Sequence, residues 1–135
     1  MLIKDLKECA EFVAGDNTIL RELLNGPNEK LEFRYSLAHA IVKPGLKSYR
    51  HSLKTSEVYY ILQGEGRMHV GDEVRMVYPG QAVVIPIDGV QFIENTGAED
   101  LVFLCIVDPA WRAEDETVLV GDSSLDFLTE DSFNG

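Results

Sequence analysis

The sequence predicts an all-β sandwich or barrel, and three observations carry that prediction. Short apolar segments follow one another at close intervals: Val58 to Leu62, Gly66 to Val70, Glu73 to Val77, Ala82 to Ile85, Gln91 to Glu94 and Leu101 to Val107. Turn-forming pairs punctuate them, namely Gln63-Gly64, Gly71-Asp72, Pro79-Gly80, Asp88-Gly89 and Thr96-Gly97. No helical segment interrupts the series, which excludes a parallel, doubly wound sheet and leaves an antiparallel sandwich or barrel.

Ahead of that series, Asp5 to Val13 places Leu6, Cys9, Ala10 and Val13 on one face of a short helix that Gly15 stops. So short a helix forms only when its apolar stripe docks on a larger body. Thr18 to Leu24 is open to helix or strand, since Ile19, Leu20, Leu23 and Leu24 suit either before Asn25-Gly26-Pro27-Asn28 ends the segment. Leu31 to Val42 alternates as a strand, with Phe33, Tyr35, Leu37, His39 and Ile41 on a bulky face and Arg34, Ser36, Ala38, Ala40 and Val42 on the other. Two largely apolar faces predict burial on both sides, one of them against a second subunit, so a homodimer is expected. His39 is then a packed or interface residue, not a ligand.

A chain of 135 residues, 45% hydrophobic, is long enough for one domain and one core. The reading divides it into a lead-in (1–30), a β-barrel body (31–110) and an acidic C-terminal extension (111–135), with apolar islands at Val118 to Val120 and Leu125 to Leu128. No apolar run approaches the roughly 18 to 20 residues that span a bilayer, and Met1 to Glu8 lacks the apolar centre of a signal peptide. A soluble, cytoplasmic protein is expected. Cys9 and Cys105 stand far apart, outside any C-x-x-C pattern, and are expected to be reduced, buried thiols.

The net charge of -11 argues against nucleic acid or an anionic membrane as partner. Yet Phe33 to Ser56 contains no acid and five bases, Arg34, Lys43, Lys47, Arg50 and Lys54, so the rest of the chain carries -16. That basic window is either a solvated loop or a means of drawing a carboxylate or phosphate ligand toward His51. There is no G-x-S-x-G elbow for serine hydrolysis, and Gly64-Glu65-Gly66 is a hairpin turn rather than a phosphate loop.

The basic window contains a patterned stretch. Five residues separate Gly45 from His51, five separate His51 from Glu57, and six separate Glu57 from Gly64. Further on, Gly80, Pro86, Asp88-Gly89, Gln91 and Asn95 follow at a second regular spacing. In order and at this separation, the two stretches resemble the two motifs of the cupin superfamily over roughly Phe33 to Pro109. The resemblance implies a double-stranded β-helix, the jelly-roll cupin barrel, and favours a strand for Thr18 to Leu24. It also implies one divalent metal held by three imidazoles and one carboxylate. Here Leu53 stands at one of the His positions and Gln91 at another, leaving His51, Glu57 and Gln91 as a one-nitrogen, two-oxygen set.

Such a set suits Zn, Ni, Mn or Fe weakly, and without two imidazoles it does not form the usual oxygen-activating iron triad. The alternative is a pocket without metal in which these groups hydrogen-bond one another. With Asp108-Pro109-Ala110-Trp111 closing the barrel, the chain resembles a small-cupin subgroup labelled mannose-6-phosphate-isomerase-like. Glu57 and Tyr59 are the candidate catalytic residues, Tyr59 being equally readable as core. Arg50, Leu53 and Gln91 are candidate ligand contacts. Two functions follow as expectations: metal-assisted isomerase or lyase chemistry on a small anionic oxygenated substrate, or metal-free binding of a sugar or carboxylate. His69 is expected to be exposed, and Cys105 faces either the pocket or the opposite layer.

Overall fold

The computed structural model describes residues 1–119, whose strands form two antiparallel sheets. The strands are β1 (Phe12–Val13), β2 (Ile19–Asn25), β3 (Ser36–Val42), β4 (His51–Leu53), β5 (Ser56–Gln63), β6 (Gly66–Val70), β7 (Glu73–Val77), β8 (Ala82–Ile85), β9 (Gln91–Asn95), β10 (Leu101–Asp108) and β11 (Glu116–Val118). One sheet has the order β1-β2-β3-β10-β5-β8 and the other β11-β4-β9-β6-β7. The chain passes repeatedly from one sheet to the other, at β3 to β4, β4 to β5 and again through β8, β9 and β10. This is the jelly-roll barrel that the strand pattern and the motifs predict.

Side-chain parity builds the core. Leu101, Phe103, Cys105 and Val107 point inward from β10 and are buried, although the uniformly apolar segment sets no parity by itself. Across the ladder, Phe103 faces Ala40 of β3 and Ile61 of β5, a large side chain beside a small one. Tyr59 is also buried, with its ring centroid 4.5 Å from that of Phe103.

The motif glycines answer to the backbone. Gly64 has φ of 83°, and a Cβ there would lie 2.6 Å from the Asp100 carbonyl oxygen, so only glycine fits the turn. Gly45 and Gly80 also have positive φ, and Asp88, at the glycine position of the second motif, has φ of 66°. Asp is among the few other residues that enter this region readily. Asn95 is a lock of the same kind: its Nδ2 donates to the carbonyls of Val42 at 2.9 Å and Glu99 at 2.8 Å. Its Oδ1 accepts from Gly97 N at 2.8 Å. These motif positions preserve turns whether or not a metal is bound.

Several expectations are corrected. Asp5 to Val13 forms no helix; only a 3₁₀ turn, Leu6–Glu8, is present, and Phe12–Val13 pairs with β2 as a strand. The apolar stripe covers nothing large, and pairing with β2 satisfies the backbone better. Consequently Cys9 is only half-buried, its Sγ donating to the Asp5 carbonyl at 3.4 Å. The third strand starts at Ser36, not Leu31, because Gly26 to Tyr35 is taken up by turns. His69 is half-buried: its ring stacks on Phe92 at 3.9 Å and its Nε2 meets Glu94 Oε1 at 3.0 Å. The island Leu125 to Leu128 lies outside the described residues, as does the end of the one at Val118 to Val120. No helix among the described residues is long and apolar enough to cross a membrane.

Candidate functional site

The crossing from β4 to β5 creates the site. His51 lies on one sheet and Glu57 on the other, joined by a short turn, so the two side chains approach the interior from opposite walls. Gln91, on β9, is the cross-strand partner of His51 and reaches the opposite wall, its Nε2 donating to Glu57 Oε1 at 2.8 Å. Gln91 is fully buried, and its Oε1 has no hydrogen-bond partner among the described residues. Burial pushes the Glu57 carboxyl up to about 7, against the opposing effects of the Gln91 hydrogen bond and His51. The carboxyl therefore exchanges a proton near neutral pH. Burial also raises the Tyr59 hydroxyl and the Cys105 thiol well above their usual values, keeping both protonated.

His51 is 2% exposed, and its Nδ1 lies 2.7 Å from the Tyr49 carbonyl oxygen. A carbonyl can only accept, so Nδ1 carries the hydrogen and a neutral ring keeps its lone pair on Nε2. That nitrogen faces Asp16 Oδ2 at 3.5 Å, beyond good hydrogen-bond range. The other oxygen of Asp16 is engaged, accepting from Thr18 N at 3.1 Å and Thr18 Oγ1 at 2.8 Å. Glu116 completes the group: one ligand atom each from Asp16, His51 and Glu116 lie within 4.8 Å of one another. The Glu116 carboxyl is raised, first by burial and then by Asp16, while His51 and a hydrogen bond from Trp111 act to lower it. One neutral imidazole and two carboxylates fit a borderline or hard divalent ion such as Zn, Mn or Fe(II).

A cavity of about 190 Å³ adjoins these groups, lined by Asp16, His51, Leu53, Glu57, Tyr59, Phe103 and Glu116 among others. Leu20, Val107 and Trp111 add apolar wall, and no Lys or Arg lines the cavity among the described residues. A larger groove of about 480 Å³ lies elsewhere, at the seam between β7 and β8, lined by Met68, Val83 and Pro86 among others, and holds none of these groups.

The structure thus joins His51, Leu53, Glu57 and Tyr59 around one cavity, with Gln91 behind Glu57. Arg50 does not line it; its carbonyl accepts from Leu119 N at 2.7 Å. Nor does the basic window converge on the cavity: Lys43 pairs with Asp100 at 3.1 Å and Arg34 with Asp108 at 2.7 Å. Asp16 and Glu116 escaped the sequence reading. The only local hint was Asp16-Asn17-Thr18, a side-chain-capped turn; Glu116 lies in an acidic stretch that reads as solvated surface.

A jelly-roll barrel encloses a cavity below the roughly 300–1,000 Å³ usual for small-molecule pockets, with metal-type donors at its edge. The model of the cupin domain matches residues 38–107, and the chain belongs to the cupin family. An uncharacterized protein of Methanocaldococcus jannaschii is 39% identical over 109 residues, 80% of this chain and 86% of that protein. A solved structure of a protein from Photorhabdus luminescens is 28% identical with a TM-score of 0.67, covering 96% of this chain and 95% of that one. Oxalate decarboxylase of Bacillus subtilis, as its S161A mutant, is 24% identical with a TM-score of 0.72, covering 84% of this chain and 31% of that one. This last likeness is one of fold alone.

Proposed function

We propose that the protein is a metal-assisted enzyme of isomerase or lyase type that acts on a small oxygenated compound held in the interior cavity. The observation that carries this reading is Glu57: buried, on the cavity wall and oriented by Gln91, with its carboxyl raised to about 7 in the metal-free chain. A carboxyl so tuned serves as both base and acid at neutral pH, a contribution of roughly 10²- to 10⁴-fold in rate. Gln91 occupies one oxygen of Glu57 and leaves the other to carry the exchangeable proton. In an isomerisation Glu57 takes a proton from the hydroxyl-bearing carbon beside a carbonyl and returns it to the carbonyl carbon, while the hydroxyl proton passes to the former carbonyl oxygen, so no other reactant is consumed.

Asp16, His51 and Glu116 would hold the divalent ion, which when bound polarises a carbonyl or hydroxyl oxygen of the substrate. Leu20, Leu53 and Phe103 exclude water from the reacting end. Isomerisation of the mannose-6-phosphate kind belongs to this reaction class. The lining includes no Lys or Arg, however, so an anionic group would depend on the ion for its counter-charge.

The test is proton exchange in heavy water. Protein loaded with Mn(II) or Zn(II) is incubated with a panel of small ketones, hydroxyketones and keto acids, and deuterium incorporation is followed by NMR. At least one compound is expected to exchange at the carbon beside its carbonyl, with Glu57→Gln slowing that exchange at least about 100-fold while thermal-shift binding of the compound persists. Undiminished exchange in Glu57→Gln overturns the reading. Binding without exchange throughout the panel favours the second reading, a non-catalytic module that uses the same apolar cavity for recognition.

We also propose a homodimer, formed through the outer face of the first sheet. Leu37, His39 and Ile41 of β3, Val102, Leu104 and Ile106 of β10, and Val58, Tyr60 and Leu62 of β5 all lie on that face. Tyr60 is 40% exposed and Leu62 43% exposed, an unusually apolar surface for solvent. Burial and Arg21 lower the pKa of His39, which therefore stays neutral at pH 7 and adds no charge to the face. Light scattering is expected to give twice the chain mass of 15.1 kDa, and Leu104→Glu to return one chain mass. A monomeric wild type at micromolar concentration would refute the dimer.

A further inference from the structure

We propose that Asp16 and Glu116 join His51 in a divalent-metal site that clasps the segment before β2 and the segment after β10 together over the barrel. The proposal rests on the metal-assisted reading above and says where the ion sits and what it does to the chain. Neither carboxylate belongs to the two sequence motifs. Asp16 comes from the β1–β2 turn, held to the barrel by Tyr49 N donating to its carbonyl at 2.7 Å. Glu116 comes from β11, which pairs with β4 so that Glu116 stands opposite Leu53 and Val118 opposite His51. The two segments already meet: a Cβ on Gly15 would lie 3.7 Å from Glu116 Oε1.

Two observations point to a cation as the missing partner. The first is His51, almost wholly buried, with Nδ1 committed to Tyr49 and Nε2 aimed at Asp16 across a gap too long for a good hydrogen bond. The second is charge: Asp16, Glu57 and Glu116 line one small cavity that has no Lys or Arg in its described lining. Carboxyl groups gathered around an imidazole can ionise together in a poorly solvated site only with a counter-cation, and a divalent ion bound there would supply it. Where Leu53 and Gln91 remove two imidazoles from the barrel wall, these two carboxylates supply replacement donors from outside it. Two carboxylates on a divalent ion also leave the centre near neutral, so it attracts an anion less than a centre with one carboxylate would.

The prediction concerns binding and protection, not turnover. The full chain is stripped of metal with chelator, then titrated with Mn(II) and separately with Zn(II) by calorimetry, with backbone hydrogen exchange followed over residues 12–18 and 113–119. One ion per chain is expected, with slowed exchange in both segments. Asp16→Asn and Glu116→Gln, close in shape to the native residues, should each weaken binding at least about tenfold and abolish protection in both segments, not only in the one altered. Glu116→Ala, which also removes the carboxylate, replaces Glu116→Gln if that variant does not fold. Should the Asp16→Asn/Glu116→Gln double variant bind the ion as tightly as wild type, the ion sits elsewhere on the barrel; the clasp is then wrong and the metal-assisted reading survives. If the wild type binds neither ion, both fall.

Discussion

Between pH 4.5 and pH 8, metal-free protein is expected to lose about 3 kcal/mol of stability that the Glu57→Gln variant keeps. The Glu57 carboxyl titrates at about 7 in the fold, against an ordinary value of 4.5, so its neutral form is the one the fold favours. Below the unfolded value both states hold the proton and Glu57 adds no pH dependence. From there to about pH 7 the unfolded chain releases the proton first, and stability falls by about 1.4 kcal/mol per pH unit, levelling above the folded value. Glutamine cannot ionise, yet keeps an oxygen to accept from Gln91 Nε2. The two proteins should therefore be of similar stability at pH 4.5, with the variant the more stable at pH 8. Denaturant unfolding at the two pH values, in chelator, measures the difference. Parallel pH profiles would mean that Glu57 is already ionised in the folded chain, which removes the acid–base role along with the prediction.

That result bears on why a carboxylate occupies the interior at all. A structural hydrogen-bond partner for Gln91 could be an amide at lower cost, since an ionisable group in this position destabilises the fold at neutral pH. Retaining it there is the usual cost of a group whose proton is used.

Most of the barrel was legible because short strands between obligatory turns leave little freedom. Gly66–Val70, Glu73–Val77 and Ala82–Ile85 have the boundaries that the turn pairs imply. What could not be read locally depends on partners distant in sequence. Phe12–Val13 is a strand only because β2 lies beside it, and His51–Leu53 is held by Glu116–Val118 and, through His51, by Gln91. The same distinction divides the site. His51 and Glu57 are spaced along one short crossing from β4 to β5 and announce themselves, whereas Asp16 and Glu116 lie 100 residues apart and converge only through the pairing of β11 with β4. A motif rooted in turn geometry also explains why the spacing holds although Leu53 and Gln91 are not imidazoles: Gly64 and Asn95 serve the backbone.

Phe103→Ala is the substitution expected to cost most, about 3 to 5 kcal/mol. Phe103 is fully buried, packed against the Tyr59 ring and flanked across the ladder by Ala40 and Ile61. Truncation removes the transfer free energy of the ring and leaves a void that Ala40 is too small to fill. Because one side of Phe103 already borders the cavity, the ring has fewer neighbours than one enclosed on every side, which places the cost toward the lower end of the range. The midpoint of thermal unfolding should fall by on the order of 10 °C, and Phe103→Leu, which keeps most of the volume, by less than half as much. Function should suffer in a particular way. Tyr59 loses the ring that fixes it, and its neighbour two positions along β5 is Glu57, so the cavity widens beside the Glu57 carboxyl. Small ligands should bind with shorter residence while larger apolar ones gain entry. A cost below about 1 kcal/mol, measured by denaturant unfolding, would show that the sheets collapse onto the void, and the cavity would then be a yielding gap between them instead of a preformed pocket.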